Sequence, residues 1–202
     1  MSAPQEHRET DEALMRAFAN GNEASFRELF HRHGDATLAF LTASTANREL
    51  AEDLLQDTFA RVFRHRDDWR GARGGEGDSF RAWLFAIARN LARDAGRRAT
   101  VRRRAAEEIR EGASPTGENV PAATSPEVAP DEAVFRQTSA RRILAALDQL
   151  PEAQREAFVL IRLQELSYEE VATACGTTVA AAKMRVARAT AALAEILKDV
   201  LK

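Results

Sequence analysis

From Ser79 to Arg104 the sequence reads SFRAWLFAIARNLARDAGRRATVRRR, an apolar helix pattern that ends as a run of arginines. Phe80, Trp83, Leu84, Ile87 and Leu91 recur at spacings of three and four, which sets one helical face into a core. Arg81, Arg89, Asn90, Arg93, Arg97 and Arg98 fall on the other side. A helix of this kind can be gripped by a protein along one face and lie against phosphates along the other.

The overall charge of −2 does not advertise a polyanion partner, but the distribution does. Arg89 to Arg104 holds seven arginines against one acid, Asp94, whereas Glu111 to Glu132 holds five acids and no base. A neutral total therefore hides a basic patch beside an acidic segment. The lysines are Lys183, Lys198 and Lys202 alone; arginine suits phosphate forks, but a GC-rich genome produces the same bias. With 202 residues, 45% of them hydrophobic and 30% charged, the composition is that of a globular protein of one or two small domains. The single cysteine, Cys175, excludes an internal disulfide framework and reads as a small buried residue rather than a reactive thiol. No stretch is long and apolar enough to span a bilayer and no signal-peptide core is visible, so the expected location is the cytoplasm. His7, His31, His33 and His65 have no ligand-like spacing with Cys175, and no paired carboxylates suggest catalysis. The expectation is no metal, no cofactor and no catalytic residue.

Residues 1–10 are polar. From Asp11 the pattern is helical, with Leu14, Ala17 and Phe18 inward and a stop at Asn20-Gly21. Ser25 and Glu28 have the spacing of a capping box, opening a helix with Phe26, Leu29, Phe30, Leu38 and Leu41 inward. Asn47 is placed to cap the next helix, about Arg48 to His65, whose core side is Leu50, Leu54, Leu55, Phe59, Val62 and Phe63. Glu49, Glu52, Asp53, Gln56 and Asp57 lie near its beginning, where acids favour the helix dipole. They form either a solvated face or a docking face. Arg66 to Asp78 is a glycine-rich loop without the ending of a phosphate-cradling loop. Its Trp69 either anchors the loop on the domain or stacks on a ligand.

Past Arg104 the periodicity fades, and Gly112 to Pro130 is rich in Pro, Ala, Ser and Thr. That composition cannot offset the entropy of ordering itself and predicts a linker. A coil of roughly 25 residues spans about 25–30 Å. Helical pattern resumes at Asp131 with Val134, Ile143, Leu144 and Leu147, then Leu150-Pro151, then a helix carrying Ala157, Phe158, Leu160, Ile161 and Leu163. Ser167 and Glu170 form a second capping box over a short helix, Tyr168 to Ala174. A turn at Cys175-Gly176-Thr177 follows, and Thr178 can cap a last long helix. A short capped helix, a glycine turn and a second helix is the helix-turn-helix pattern, although packed helical pairs share it. Read as DNA-binding, it points Lys183, Arg185 and Arg188 at phosphates or guanine edges, with Thr178, Ala180 and Ala181 small enough for close approach. The fold class is all-α. The expected domains are residues 11–100 and 131–202, joined by a flexible linker over residues 101–130.

The two halves together resemble the bacterial RNA polymerase sigma factors of the small extracytoplasmic-function (ECF) group. Ala51-Glu-Asp-Leu-Leu-Gln-Asp-Thr-Phe59 is similar to that family's polymerase-binding helix. Phe80-Arg-Ala-Trp-Leu-Phe-Ala-Ile-Ala-Arg-Asn90, with Asp94 and Arg97-Arg98, is similar to its −10 recognition and melting helix. Leu147-Asp-Gln-Leu-Pro151, Phe158, Ser167-Tyr-Glu-Glu-Val-Ala172 and the last helix are similar to its −35 domain. The motifs cover about residues 11–100 and 131–200 in the family's order. One departure stands out: where the family often has Gly-Thr-Val-Lys-Ser-Arg, this chain has Ala180-Ala-Ala-Lys-Met-Arg185.

The resemblance implies a specificity subunit rather than an enzyme, a sigma region 2-like bundle and a sigma region 4-like helix-turn-helix domain. Glu52, Asp53, Gln56 and Asp57 would dock on core RNA polymerase. Asn90 would read an extruded base of the opened −10 strand, with Arg89, Arg93, Arg97 and Arg98 on its phosphates. Thr178, Ala181, Lys183, Arg185 and Arg188 would meet the −35 duplex. Trp83, whose spacing matches Phe80 and Ile87, belongs to the core. Expected partners are core RNA polymerase and promoter DNA, with an anti-sigma factor as a further family partner, and no membrane insertion. Two rival readings remain at this level: a stand-alone helix-turn-helix regulator, or a sigma-like adaptor without promoter activity.

Overall fold

The computed structural model describes residues 9–69, 79–111 and 142–200, without the side chains of residues 106–111, 199 and 200. The expectations for the glycine-rich run from Gly71 to Gly77, the stretch from Gly112 to Pro130, and Val134 lie outside the described residues. Among the described residues there is no strand. The helices are α1 (Asp11–Ala19), α2 (Glu23–Thr45), α3 (Arg48–Arg64), α4 (Phe80–Glu111), α5 (residues 142–148), α6 (Glu152–Arg162), α7 (Tyr168–Cys175) and α8 (Val179–Val200). A short 3₁₀ turn, Arg66–Asp68, follows α3.

Local chemistry starts most helices where short polar side chains stand. Thr10 accepts from the Ala13 amide, Asn47 from Leu50, and Ser167 from Glu170. The start of α2 differs from the sequence expectation. Asn22 caps it, accepting from the Ala24 amide at 3.0 Å, so Ser25 lies inside the helix and is buried. Glu28 then pairs with Arg32 at 2.7 Å instead of closing a capping box. A cap three residues earlier satisfies the same orphan amides and leaves Ser25 no role there. Helix α4 runs on to Glu111, so residues 101–111, the start of the stretch expected as a linker, are helical. Arginine and glutamate are good helix formers, and loss of apolar periodicity alone does not stop a helix.

Two apolar clusters hold the chain. Leu14, Met15, Phe18, Leu29, Phe59, Val62, Phe80 and Leu84 join α1, α2, α3 and the start of α4, with Trp69 and Trp83 partly buried against them. The second cluster is continuous across both halves: Phe40, Leu41, Phe85, Ala88 and Leu91 meet Leu147, Leu150, Leu160, Leu166 and Val171. Burial of this surface, at about 25 cal/mol per Å², docks the second half onto α2 and α4. Phe30 and Phe63 depart from the expected core, being 44% and 39% exposed, as do Ile143 and Leu163. Periodicity identifies a face but not its edges, and these four sit on edges that no described helix covers. Cys175 is buried, and desolvation pushes its thiol up to about 11, as expected of an inert packing residue.

Candidate nucleic-acid interface

Helix α4 carries the centre of the site. Ser79 caps it, its hydroxyl oxygen accepting from the Ala82 amide at 3.1 Å, and the buried face is Phe80, Ala82, Leu84, Phe85, Ala88, Leu91 and Ala92. Trp83 is half-buried with its ring 6.2 Å from that of Phe80, in the core role expected of it. Asn90, Arg97 and Arg98 face solvent. Arg97 is paired with Asp94, while Arg98 has no ion-pair partner among the described residues.

Arg89 lies elsewhere than the sequence pattern puts it. It is buried, and its Nε donates to Glu156 Oε2 of α6 at 2.8 Å. Arg93 reaches Glu152 at 3.1 Å, and Arg81 donates to the Gln164 carbonyl. The Ser79 hydroxyl donates to Glu170 Oε1 at 2.5 Å, while Glu170 Oε2 accepts from the Ser167 amide and closes the capping box of α7. Much of the polar face of α4 is therefore satisfied by acceptors from the second half. Burial pushes the Glu156 carboxyl up, and the Arg89 guanidinium only partly counters it. Burial acts on Glu170 the same way, but the Ser79 hydroxyl and the Ser167 amide outweigh it and hold that carboxyl below its ordinary value. Beside Arg93 and Arg97 opens a cleft of about 550 Å³, lined also by Ser44, Thr100 and Arg155.

On α3, burial of Ala51, Leu54, Thr58 and Phe59 turns Glu52, Asp53, Gln56 and Asp57 outward as one exposed face. Glu52 pairs with Arg48 at 2.9 Å, an exposed pair of little energetic weight. Next to Gln56 runs an apolar groove between α2 and α3, lined by Phe26, Phe30, Phe59, Ala60, Phe63 and Arg64. Sequence reasoning missed this groove because it assigned Phe30 and Phe63 to the interior. Five aromatics within 38 residues (Phe26, Phe30, Phe40, Phe59 and Phe63) exceed what two helices can bury, and that excess is the signal that was available.

Helices α7 and α8 form the helix-turn-helix. Gly176 takes the left-handed conformation, φ 57° and ψ 47°, that a side chain resists and that ends α7 sharply. The Thr178 hydroxyl oxygen accepts from the Ala181 amide at 3.1 Å and starts α8. Ala182, Val186, Ala189 and Leu193 are buried against the domain. That register leaves Thr178, Lys183 and Arg188 exposed, with Ala181 and Arg185 half-buried. Lys183 Nζ sits 5.5 Å from the Tyr168 ring centroid, a cation–π contact that steadies it on the outer surface. Among the described residues no group of His, Cys, Asp and Glu could hold a metal, and no helix is long and apolar enough to cross a membrane.

A helix-turn-helix in one half and an amide-and-arginine helix face in the other define a two-part transcription factor that reads DNA at two places. Comparison with known proteins gives the family. The family model for sigma-70 region 2 matches residues 29–103, and that for sigma-70 region 4 matches residues 140–193. The chain is 36% identical over 186 residues to RNA polymerase sigma factor CarQ of Myxococcus xanthus, covering 92% of this chain and 97% of that one. It is 33% identical over 159 residues to the ECF RNA polymerase sigma factor EcfG of Rhodopseudomonas palustris, covering 79% and 77%. Among solved structures, CnrH in complex with the cytosolic domain of CnrY superposes with a TM-score of 0.69 at 26% identity, covering 95% of this chain and 99% of that one. The sigma factor RpoE in complex with the anti-sigma factor NepR from Bartonella quintana gives 0.59 at 28% identity, covering 86% and 96%. The chain belongs to the sigma-70 family, in its ECF group: it binds core RNA polymerase and directs promoter-specific initiation of transcription.

Proposed function

We propose that the three polar surfaces divide the work of a sigma factor among them. The exposed face of α3, Glu52, Asp53, Gln56 and Asp57, docks on core polymerase, and the groove at Phe30 and Phe63 extends that surface. Acids there suit a basic partner helix, setting encounter and register more than affinity. Asn90 offers a donor and an acceptor to one base edge of the opened −10 strand. Unstacking that base costs a few kcal/mol, which is offset by cationic contacts from Arg93, Arg97 and Arg98, and from Arg89 once it is freed. The N-terminal half of α8 enters the −35 major groove with Lys183, Arg185 and Arg188 toward phosphates and base edges, and Thr178 and Ala181 at the point of closest approach. The chain acts as a specificity subunit without catalysis of its own, in the cytoplasm where its polymerase works. The crystallised pairing of RpoE with NepR supports an anti-sigma factor as a further partner.

The observation that carries this reading is the outward placement of Asn90 beside the arginine row of α4, inside the segment matched by the region 2 model. Run-off transcription with core polymerase, followed by start-site mapping, tests it. A promoter-dependent transcript that Asn90→Ala redistributes among −10 variants supports the assignment; no transcript from any mapped template would sink it.

A further inference from the structure

Met184 occupies the crest of α8. It is 54% exposed, the one exposed large apolar residue among the described side chains of that helix. The buried side of α8 is Ala182, Val186, Ala189 and Leu193. At about 100° per residue, Met184 lies about 170° from the middle of that arc, so it points away from the domain. Ala180, Ala187 and Arg188, one turn away on either side, share its face and are exposed with it. Lys183 and Arg185 are turned to its two flanks, Lys183 towards the Tyr168 ring and Arg185 half-buried.

Two properties of this surface identify what covers it. From Val171 to Ala194 the chain carries three cations, Lys183, Arg185 and Arg188, and no acid, so the surroundings suit a polyanion. At the centre of those charges stands a thioether, which has no donor and is only a weak acceptor. A DNA duplex offers phosphates along its backbone and, among the base edges of its major groove, one apolar group, the C5 methyl of thymine. We infer that Met184 is a specificity-determining residue that packs against a thymine methyl of the −35 element while Lys183 and Arg188 hold phosphates. This rests on the proposed seating of α8 in the −35 major groove. The small side chains of Ala180 and Ala187 let the base edges come close along the same line, and the close approach at Thr178 and Ala181 sets the depth that Met184 reaches. Its unbranched chain, with three rotatable bonds, adapts to the position of the methyl without strain. A cytosine amino group in the same place would lose its water without gaining a partner, so the contact rejects cytosine as well as favouring thymine.

The test uses holoenzyme assembled from core polymerase and the full chain, as wild type, Met184→Gln and Met184→Leu. The residue is exposed, so neither change disturbs the packing of α8, and capture by core polymerase should be equal for all three. Promoter duplexes are made in which each thymine of the mapped −35 element, on either strand, is replaced singly by deoxyuridine, which lacks only the methyl. The wild type should lose affinity about fourfold at one such position, the worth of burying one methyl group. Met184→Gln should bind the thymine and uracil duplexes alike, and Met184→Leu should keep the preference. A wild type indifferent to uracil at every position overturns the inference. So does a preference that survives in Met184→Gln, or a loss in that variant that falls on polymerase capture alone. A duplex with a scrambled −35 element separates the two levels. If the wild type prefers the mapped element but ignores uracil, only the role of Met184 is wrong; if it has no preference, the seating of α8 fails as well.

Discussion

Arg89 Nε lies 2.8 Å from Glu156 Oε2, each side chain almost wholly buried and each belonging to a different half of the chain. A buried pair of this kind is poor evidence of net stabilisation, but removing one partner leaves a charge stranded at a cost of about 3–5 kcal/mol. Here the molecule has an alternative to unfolding, since separating the halves returns Arg89 to water, at the cost of uncovering the apolar cluster they share. Glu156→Leu is therefore expected to expand the protein in small-angle scattering rather than unfold it. Arg89→Met/Glu156→Leu, which leaves no charge behind, is expected to stay compact. Equal expansion of single and double variants would contradict this account.

Asp11 supplies a pH dependence of known sign. Its carboxylate lies 2.7 Å from His33 Nε2 and 3.1 Å from Arg32 Nη1. Burial pushes its pKa up, but the His33 and Arg32 contacts outweigh that and leave it below the ordinary 3.8. A carboxyl lowered in the folded state contributes stability above its unfolded pKa and loses it as pH falls through the folded value. Asp11→Asn should cost about 1–2 kcal/mol at neutral pH. It should also flatten the loss of stability below pH 3.8, read by urea denaturation across pH.

The start of α3 separates folding from docking. Asn47 accepts from the Leu50 amide at 3.0 Å, and its replacement by alanine should cost about 1 kcal/mol of stability. Polymerase affinity should hardly change, because the proposed docking face begins a turn later. Asp57→Arg should do the opposite, leaving the melting curve in place and weakening capture by core polymerase. Coincident losses in both assays would mean that the face is structural.

Helical phase was legible in the sequence, and relationships between helices were not. Asn47, Ser167 and Thr178 cap where their spacing predicts, because a cap is a local hydrogen bond between residues two or three apart. The glycine turn at Gly176, the burial of Cys175 and the packing of Trp83 against the core follow from equally local patterns. Ser25 failed because two cap candidates stood three residues apart and only the backbone path chooses between them. Phe30 and Phe63 failed because burial depends on which neighbours exist to cover a stripe. The burial of Arg89 was out of reach for the deepest reason. Its partner, Glu156, lies 67 positions away, and no periodicity connects a guanidinium to an acid on another helix.

Asn90 tests the readout of the opened strand. It is exposed on α4, a helix whose buried side is complete without it, so Asn90→Ala should leave the melting temperature within the scatter expected of a surface change. Discrimination between matched and mismatched −10 strands should fall by about 1–3 kcal/mol, the range of a good polar contact to a base. Polymerase capture should be unaffected. Asn90→Asp, which keeps the shape but loses the donor and adds a charge, should be worse than alanine on single-stranded DNA.

The first turns of α8 separate phosphate contacts from base contacts. Lys183 and Arg188 are exposed, Arg185 is half-buried, and Ala180, Ala181 and Ala182 before them offer no polar side chain to share the reading of bases. If a cation serves a phosphate, its removal should weaken all −35 duplexes alike and make the salt dependence shallower by about one unit. If it serves a guanine, its removal should cost about 1–3 kcal/mol at one base pair and relax the preference there. Lys183 already faces the Tyr168 ring on the outer surface, and Arg188 lies about a turn and a half further along the helix, away from its N-terminal end. Both are therefore expected to behave as phosphate contacts, leaving Arg185 as the one base-reading cation. Titrating Lys183→Ala, Arg185→Ala and Arg188→Ala against a duplex library at two salt concentrations checks this. A sequence-independent loss for Arg185→Ala would leave −35 selection to close approach at Thr178 and Ala181, and Ala181→Leu should then abolish it.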